Sequence, residues 1–186
     1  MRNQFALRNS KPTHYYRARM NRNRFVVMGV TGSGKTTLGT MLAQRLGVDF
    51  VEGDDYHPPE NLHRMSSGIA LMDDDRSDWL HALADRIGHA KTAGEGLVVS
   101  CSALKRSYRD ILRSVDPDLT FVFLKGSESL IAERIAGRRD HFMPPQLLKS
   151  QLATLEAPSQ DENAVVCDIG GTPQSIVDAV VETNSR

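Results

Sequence analysis

Cysteine is scarce: the 186 residues hold only Cys101 and Cys167, and each ends a short β-rich apolar run. Neither has the CxxC or Cys/His spacing of a zinc site, and the six histidines are scattered with no HExxH among them. Both thiols are therefore expected to be buried strand residues of a protein kept in a reducing cytoplasm. No apolar stretch approaches the roughly 18–20 residues that a membrane helix requires. The N-terminus lacks the apolar core of a secretory signal. Net charge is absent too, with 23 Lys+Arg against 23 Asp+Glu, so overall charge points to no polyanionic partner. No internal repeat and no low-complexity linker follows residue 24.

The balanced charge hides an asymmetry. Residues 1–24 carry Arg2, Arg8, Lys11, Arg17, Arg19, Arg22 and Arg24 and no acidic residue. A transit peptide has such a composition, but the Leu/Ile-rich amphipathic face is missing. The expectation is a disordered basic leader over 1–24, or a start read too early with Met20 as the true one. A domain over 25–186 follows. A nucleic-acid role for the leader is disfavoured, because no recognised binding module accompanies it.

From residue 25 onward, short β-branched runs alternate with stretches of helical period, the pattern of a parallel sheet with crossover helices. Strands are predicted at Phe25–Met28, Asp49–Val51, Gly96–Cys101, Leu119–Leu124 and Ala164–Cys167. Several are continuous apolar runs, as befits strands buried on both faces. A helix is predicted over Lys35–Leu46, with Leu38, Met41, Leu42 and Leu46 inward and Gly47 as its stop. A second, over about Asp78–Lys91, buries Trp79, Leu80, Leu83 and Ile87, with Ser77 as N-cap. A third runs from Glu128 to Arg138, a fourth begins beyond Pro144–Pro145, and a last starts near Pro173. Five strands with covering helices make a three-layer α/β sandwich.

The strongest chemical signal is Gly29-Val30-Thr31-Gly32-Ser33-Gly34-Lys35-Thr36, a G-x-x-x-x-G-K-[ST] phosphate loop between a strand and a helix. Its glycines let successive N–H groups converge on an anion, and the helix N-terminus adds partial positive charge there. Lys35 is expected on the β/γ-phosphates and the Thr36 hydroxyl on magnesium. ATP contacts are thus assigned to Gly29, Thr31, Gly32, Ser33, Gly34, Lys35, Thr36 and Thr37. The loop alone leaves kinase, GTPase and ATPase open.

Three further features favour a kinase. An N-K-x-D base-reading motif is absent. The second strand ends in Glu52-Gly53-Asp54-Asp55-Tyr56-His57-Pro58, at the sheet edge that faces ligand in doubly wound folds. Asp54 there is the candidate base for an attacking hydroxyl, and through a water a candidate for the magnesium shell. Finally, Arg134 and Arg138 lie four apart on one helical face, ahead of the Pro144–Pro145 break. In small P-loop kinases a helical lid brings such arginines onto the transferring phosphate, so both are assigned to catalysis and to ATP.

The ordered series extends further. It runs through Asn61, Met65–Leu71, Asp73–Leu80, Cys101–Asp110, Phe123–Gly126, the Arg134/Arg138 pair with His141-Phe142, and Thr154–Pro158. Over about residues 25–180 it resembles the bacterial-type gluconokinases, relatives of shikimate kinase. The resemblance implies ATP-dependent transfer of the γ-phosphoryl group to the 6-hydroxyl of gluconate, giving 6-phosphogluconate. It also implies a nucleoside-monophosphate-kinase-like fold, a cytoplasmic enzyme and a homodimer. A sugar acid needs a cation for its carboxylate and hydrogen-bonding groups for its hydroxyls. Arg76, whose planar fork suits a carboxylate, is the first candidate, with Lys105 and Arg109 as rivals. His57 and Ser102 are candidates for the hydroxyls. Shikimate kinase has an acidic Asp-x-Asp pair at the second strand end, where this chain has Glu52, and the basic leader has no counterpart in the family. Two alternatives remain: a kinase of this fold for another acceptor, such as shikimate or a nucleoside monophosphate, and a nucleotide-binding switch that transfers nothing.

Overall fold

The structure is a computed structural model that describes residues 22–137 and 145–184. Its strands are β1 (Arg24–Met28), β2 (Asp49–Glu52), β3 (Leu97–Ser100), β4 (Thr120–Lys125) and β5 (Ala164–Asp168). All pair in parallel in the order β2-β3-β1-β4-β5. The central strand β1 aligns Val26 with Val99 on one side and with Phe121 on the other, and its apolar residues are buried on both faces. That double burial accounts for the continuous apolar runs of the central strands.

Seven α-helices surround the sheet among the described residues: α1 (Lys35–Leu46), α2 (Pro59–Ser66), α3 (Asp73–Ala93), α4 (Arg106–Ser114), α5 (Glu128–Ala136), α6 (Pro145–Thr154) and α7 (Pro173–Thr183). One face of the sheet is covered by Leu38 and Leu42 of α1, Ile131 of α5, Leu148 of α6 and Val177 and Val180 of α7. The other carries Trp79, Leu80, Leu83 and Ile87 of α3 with Tyr108 and Leu112 of α4. The result is the expected three-layer α/β fold. Because every strand runs the same way, the segments after β1, β2 and β3 all emerge on one edge, where such sheets bind ligands.

Several boundaries differ from the sequence reading. Helix α3 starts at Asp73, so Ser77 is not its N-cap but lies within the second turn. Met72 takes the cap position, and its N–H donates to the Asp75 carboxylate at 2.7 Å. Three aspartates in that first turn complement the helix dipole, which explains the earlier start. Helices α2 and α4 were not foreseen. In α2 only Asn61 is buried, so no apolar stripe marks it, whereas α4 sets Tyr108, Ile111, Leu112 and Val115 at helical spacing but is short and also buries Arg109. A 3-10 turn over Gly53–Tyr56 follows β2 directly. Both cysteines are buried as expected, and burial pushes the Cys101 thiol up to about 12 and Cys167 to about 11. No helix of the described residues is long and apolar enough to cross a membrane. The leader call on residues 1–24 lies almost wholly outside the described residues, which begin at Arg22.

Candidate active site

The phosphate loop turns from the end of β1 into α1. Gly34 stands at the N-cap of α1 with φ 98°, a left-handed conformation that a side chain rarely adopts, and Leu38 N–H closes the first turn on its carbonyl at 2.9 Å. Lys35 bends back over the loop and donates to the Val30 carbonyl at 3.2 Å. A cavity of about 250 Å³ opens beside the loop, walled by Gly32, Ser33, Gly34 and Thr37, by Arg134 of α5, and by Ile169, Gly171, Pro173 and Ile176 after β5. Arg134 is anchored there by donation to the Ile169 carbonyl at 2.6 Å. Its guanidinium thus stands at the side of the nucleotide cavity. Arg138 lies outside the described residues. The wall from Ile169 to Ile176 escaped sequence reading because its Gly-Gly-Thr-Pro turn matches no nucleotide-binding motif.

At the end of β2, Glu52 joins the loop to the neighbouring strand. One oxygen accepts the Thr36 hydroxyl at 2.6 Å, and the other accepts the Ser100 hydroxyl of β3. Ser100 Oγ in turn accepts the Gly53 N–H at 3.1 Å. Gly53 runs against β3 so closely that a Cβ there would lie 2.0 Å from the Ser100 carbonyl oxygen. This close packing delivers Asp54, exposed on the 3-10 turn, to the same edge as Lys35 and Glu52, all three within electrostatic reach of Cys101. Thr36, Glu52 and Asp54 form an oxygen donor set that fits a hydrated magnesium ion, which takes one or two protein ligands and fills its shell with water and phosphate. Among the described residues no group of three His, Cys, Asp or Glu could hold a metal.

Beyond Asp54, the same edge is built on Trp79. Its Nε1–H donates to the Gly53 carbonyl at 2.7 Å, and its ring stacks on His57 with centroids 4.1 Å apart and planes 15° apart. His57 is buried, and its Nδ1 has no hydrogen-bond partner among the described residues. Burial, and secondarily the Arg76 charge, lower its pKa to about 4, so it is neutral near pH 7. Trp79 is thus core, as expected, and also the wall that holds His57.

The three cations proposed for a substrate carboxylate meet different fates. Arg109 is fully buried and is not a substrate ligand: its Nε and Nη2 donate to Glu162 at 2.6 and 2.9 Å, while Nη1 serves the carbonyls of Ala103, Leu104 and Glu156. It fastens the turn that carries Ser102 and Lys105, where Ala103 adopts a positive φ of 43°. Lys105 donates to both Asp73 oxygens at 2.8 and 2.6 Å, and Tyr108 OH adds a third hydrogen bond to Asp73 at 2.6 Å. Arg76 has no carboxylate partner among the described residues. It reaches only the Tyr108 hydroxyl, at 3.3 Å, lies against the Tyr108 ring, and lines a cavity of about 50 Å³ with Met65, Leu71, Leu104, Leu147 and Gln151. Ser102 sits half-buried on the same edge, its carbonyl accepting the Gly29 N–H at 3.3 Å. Tyr108 and Gln151 were not anticipated. Tyr108 belongs to the unforeseen α4, and Gln151 reads from sequence as one polar residue among others on a helix.

Strand, phosphate loop, helix and the Thr36–Glu52 pair define a P-loop nucleotide-binding protein of the small-kinase type. Residues 25–158 match the family model of the AAA domain. The gluconokinase of Gluconobacter oxydans (strain 621H) is 51% identical over 140 residues, covering 75% of this chain and 79% of that protein. The thermoresistant gluconokinase of Escherichia coli (strain K12) is 40% identical over 159 residues, covering 85% and 91%. A solved gluconokinase structure from Sinorhizobium meliloti 1021 superposes with a TM-score of 0.81 at 48% identity, over 89% of this chain and 94% of that one. Shikimate kinase from Aquifex aeolicus, at 15% identity and a TM-score of 0.56, shares the fold alone. The chain belongs to the gluconokinase family.

Proposed function

We infer that this protein transfers the γ-phosphoryl group of ATP to the 6-hydroxyl of D-gluconate, giving 6-phospho-D-gluconate and ADP. The observation that carries the acceptor assignment is Arg76, a guanidinium that lines a cavity and forms no ion pair with a carboxylate among the described residues. The substrate carboxylate takes the Arg76 fork. Neutral His57 and Ser102 serve the hydroxyls, with Lys105 and Tyr108 held by Asp73 behind them.

Asp54 accepts the proton of the 6-hydroxyl as its oxygen bonds to the γ-phosphorus and the bond to the β–γ bridging oxygen breaks. The loop from Gly29 to Thr37 cradles the phosphates, with the Thr31 N–H given instead to Gln151. Lys35 exchanges the Val30 carbonyl for phosphate oxygens, and Arg134 closes the nucleotide cavity. Arg138 keeps its assignment to the transferring phosphate on the family resemblance. Thr36 and Glu52, with Asp54 through a water, would hold magnesium, which would supply charge neutralisation for the triphosphate. A cytoplasmic homodimer is the setting that the resemblance supports.

The test is coupled ADP release from Mg-ATP with gluconate, its epimers, shikimate, glycerate and AMP. Stimulation by gluconate alone is expected. Stimulation by shikimate or AMP instead would keep the kinase and remove the acceptor assignments.

A further inference from the structure

The third residue of the phosphate loop is held from the acceptor side. The Thr31 N–H donates to Oε1 of Gln151, on α6, at 2.6 Å. In this arrangement the Thr31 amide is occupied by protein rather than contributing to the anion cradle. Gln151 also lines the small cavity that contains Arg76, so one side chain touches the loop that grips ATP and the pocket assigned to the acceptor. Its Nε2 has no hydrogen-bond partner among the described residues. At about 50 Å³ that cavity has room for the carboxylate end of a sugar acid, which would lie against its walls. Leu147, Ser150, Gln151 and Thr154 make α6 one of those walls. Any shift of α6 acts directly on the Gln151–Thr31 hydrogen bond.

We propose that Gln151 is a positioning residue that couples acceptor binding to nucleotide binding by docking α6 on the phosphate loop. The proposal rests on the acceptor reading above. Seating the acid against Arg76 sets α6, and α6 sets the backbone of Thr31 beside Gly32 and Ser33. By linkage the effect is reciprocal: nucleotide on the loop fixes α6 and preorganises the acceptor pocket.

The experiment is calorimetric titration of gluconate with and without a saturating non-hydrolysable ATP analogue and magnesium. The wild type is expected to bind gluconate about tenfold more tightly with the nucleotide present, within the usual range of coupling between sites. Gln151→Met keeps length and helix propensity but has no strong acceptor, and its ratio of gluconate affinities with and without nucleotide is expected to fall to unity. Gln151→Glu still offers an oxygen to the Thr31 N–H and is expected to retain the coupling. Equal coupling in wild type and Gln151→Met overturns the proposal, and so does a wild type with no coupling. Both leave the gluconokinase reading intact, whereas a wild type that fails to bind gluconate at all removes that reading instead.

Discussion

Glu162→Gln is a nearly isosteric change that removes one charge from a pair in which both side chains are 1% exposed. Arg109 then remains buried among three backbone carbonyls with no counter-ion. Breaking a buried pair from one side costs about 3–5 kcal/mol, because the remaining charge is left uncompensated. The Glu162 carboxyl gives an independent measure. Its hydrogen bonds from Arg109 lower its pKa from 4.5 to about 2, a difference of roughly 3 kcal/mol between its protonation states. For a chain of this length that corresponds to a Tm lower by about 6–20 °C.

The assay is urea and thermal unfolding across pH. A depressed carboxyl stabilises the fold fully above its unfolded value of about 4.5, and that contribution is lost as pH falls toward 2. The wild type should therefore lose stability over that window, and Glu162→Gln should lose correspondingly less. Arg109→Met combined with Glu162→Leu should recover most of the stability, since an apolar pair of similar volume dispenses with both buried charges. Loss of stability below about 1 kcal/mol in Glu162→Gln would refute the clamp. So would Arg109→Lys if it raised the gluconate KM with stability unchanged, which would return Arg109 to the substrate.

Arg76→Ala should raise the gluconate KM about ten- to a hundredfold, the range expected for one charged hydrogen-bonding partner, with the nucleotide Kd unchanged. An unaltered KM would move the carboxylate elsewhere. Asp54→Asn should lower kcat by about a hundredfold or more while ATP still binds, as for loss of a general base; a fully active variant would remove Asp54 from that role. His57, buried and lowered to about 4, must be protonated against its environment, so stability should fall as pH drops from about 6.5 toward 4. His57→Phe should abolish that part of the unfolding profile, and an unchanged profile would locate the titration in other groups.

The elements legible in the sequence are those whose burial follows a period. All five strands, α1 and the apolar face of α3 are of this kind, and so is the phosphate loop, where residue types and spacing carry the chemistry themselves. What escaped detection shares one cause. Helix α4 places Arg109 at a position where the helical period calls for an apolar residue, and its burial is balanced by Glu162, 53 residues away in sequence. The partner that makes such a burial tolerable lies on another element, so no local window contains it. The same distance separated the rival cations. Arg76, Lys105 and Arg109 look equivalent until Asp73 and Glu162 are placed beside two of them, which leaves Arg76 as the one facing a cavity without a carboxylate. Gln151 reaches Thr31 across 120 residues and is invisible for the same reason.

Glu52 shows how a departure from a relative's pattern is absorbed. An aspartate at the end of β2 would bring its carboxylate one methylene less far across the sheet edge. The longer side chain reaches the Thr36 hydroxyl on the phosphate loop and the Ser100 hydroxyl on β3 together. Ser100 in turn fixes the Gly53 N–H, and Gly53 delivers Asp54 and, through its carbonyl, Trp79. Stacking then carries the chain of contacts to His57. The carboxylate proposed for the magnesium shell is therefore continuous with the wall of the proposed acceptor pocket. The order of contacts runs Thr36, Glu52, Ser100, Gly53, Trp79, His57, from nucleotide to acceptor. Glutamate at this position ties the end of β2 to the phosphate loop and to β3. It makes that junction the brace on which the proposed acceptor side is built.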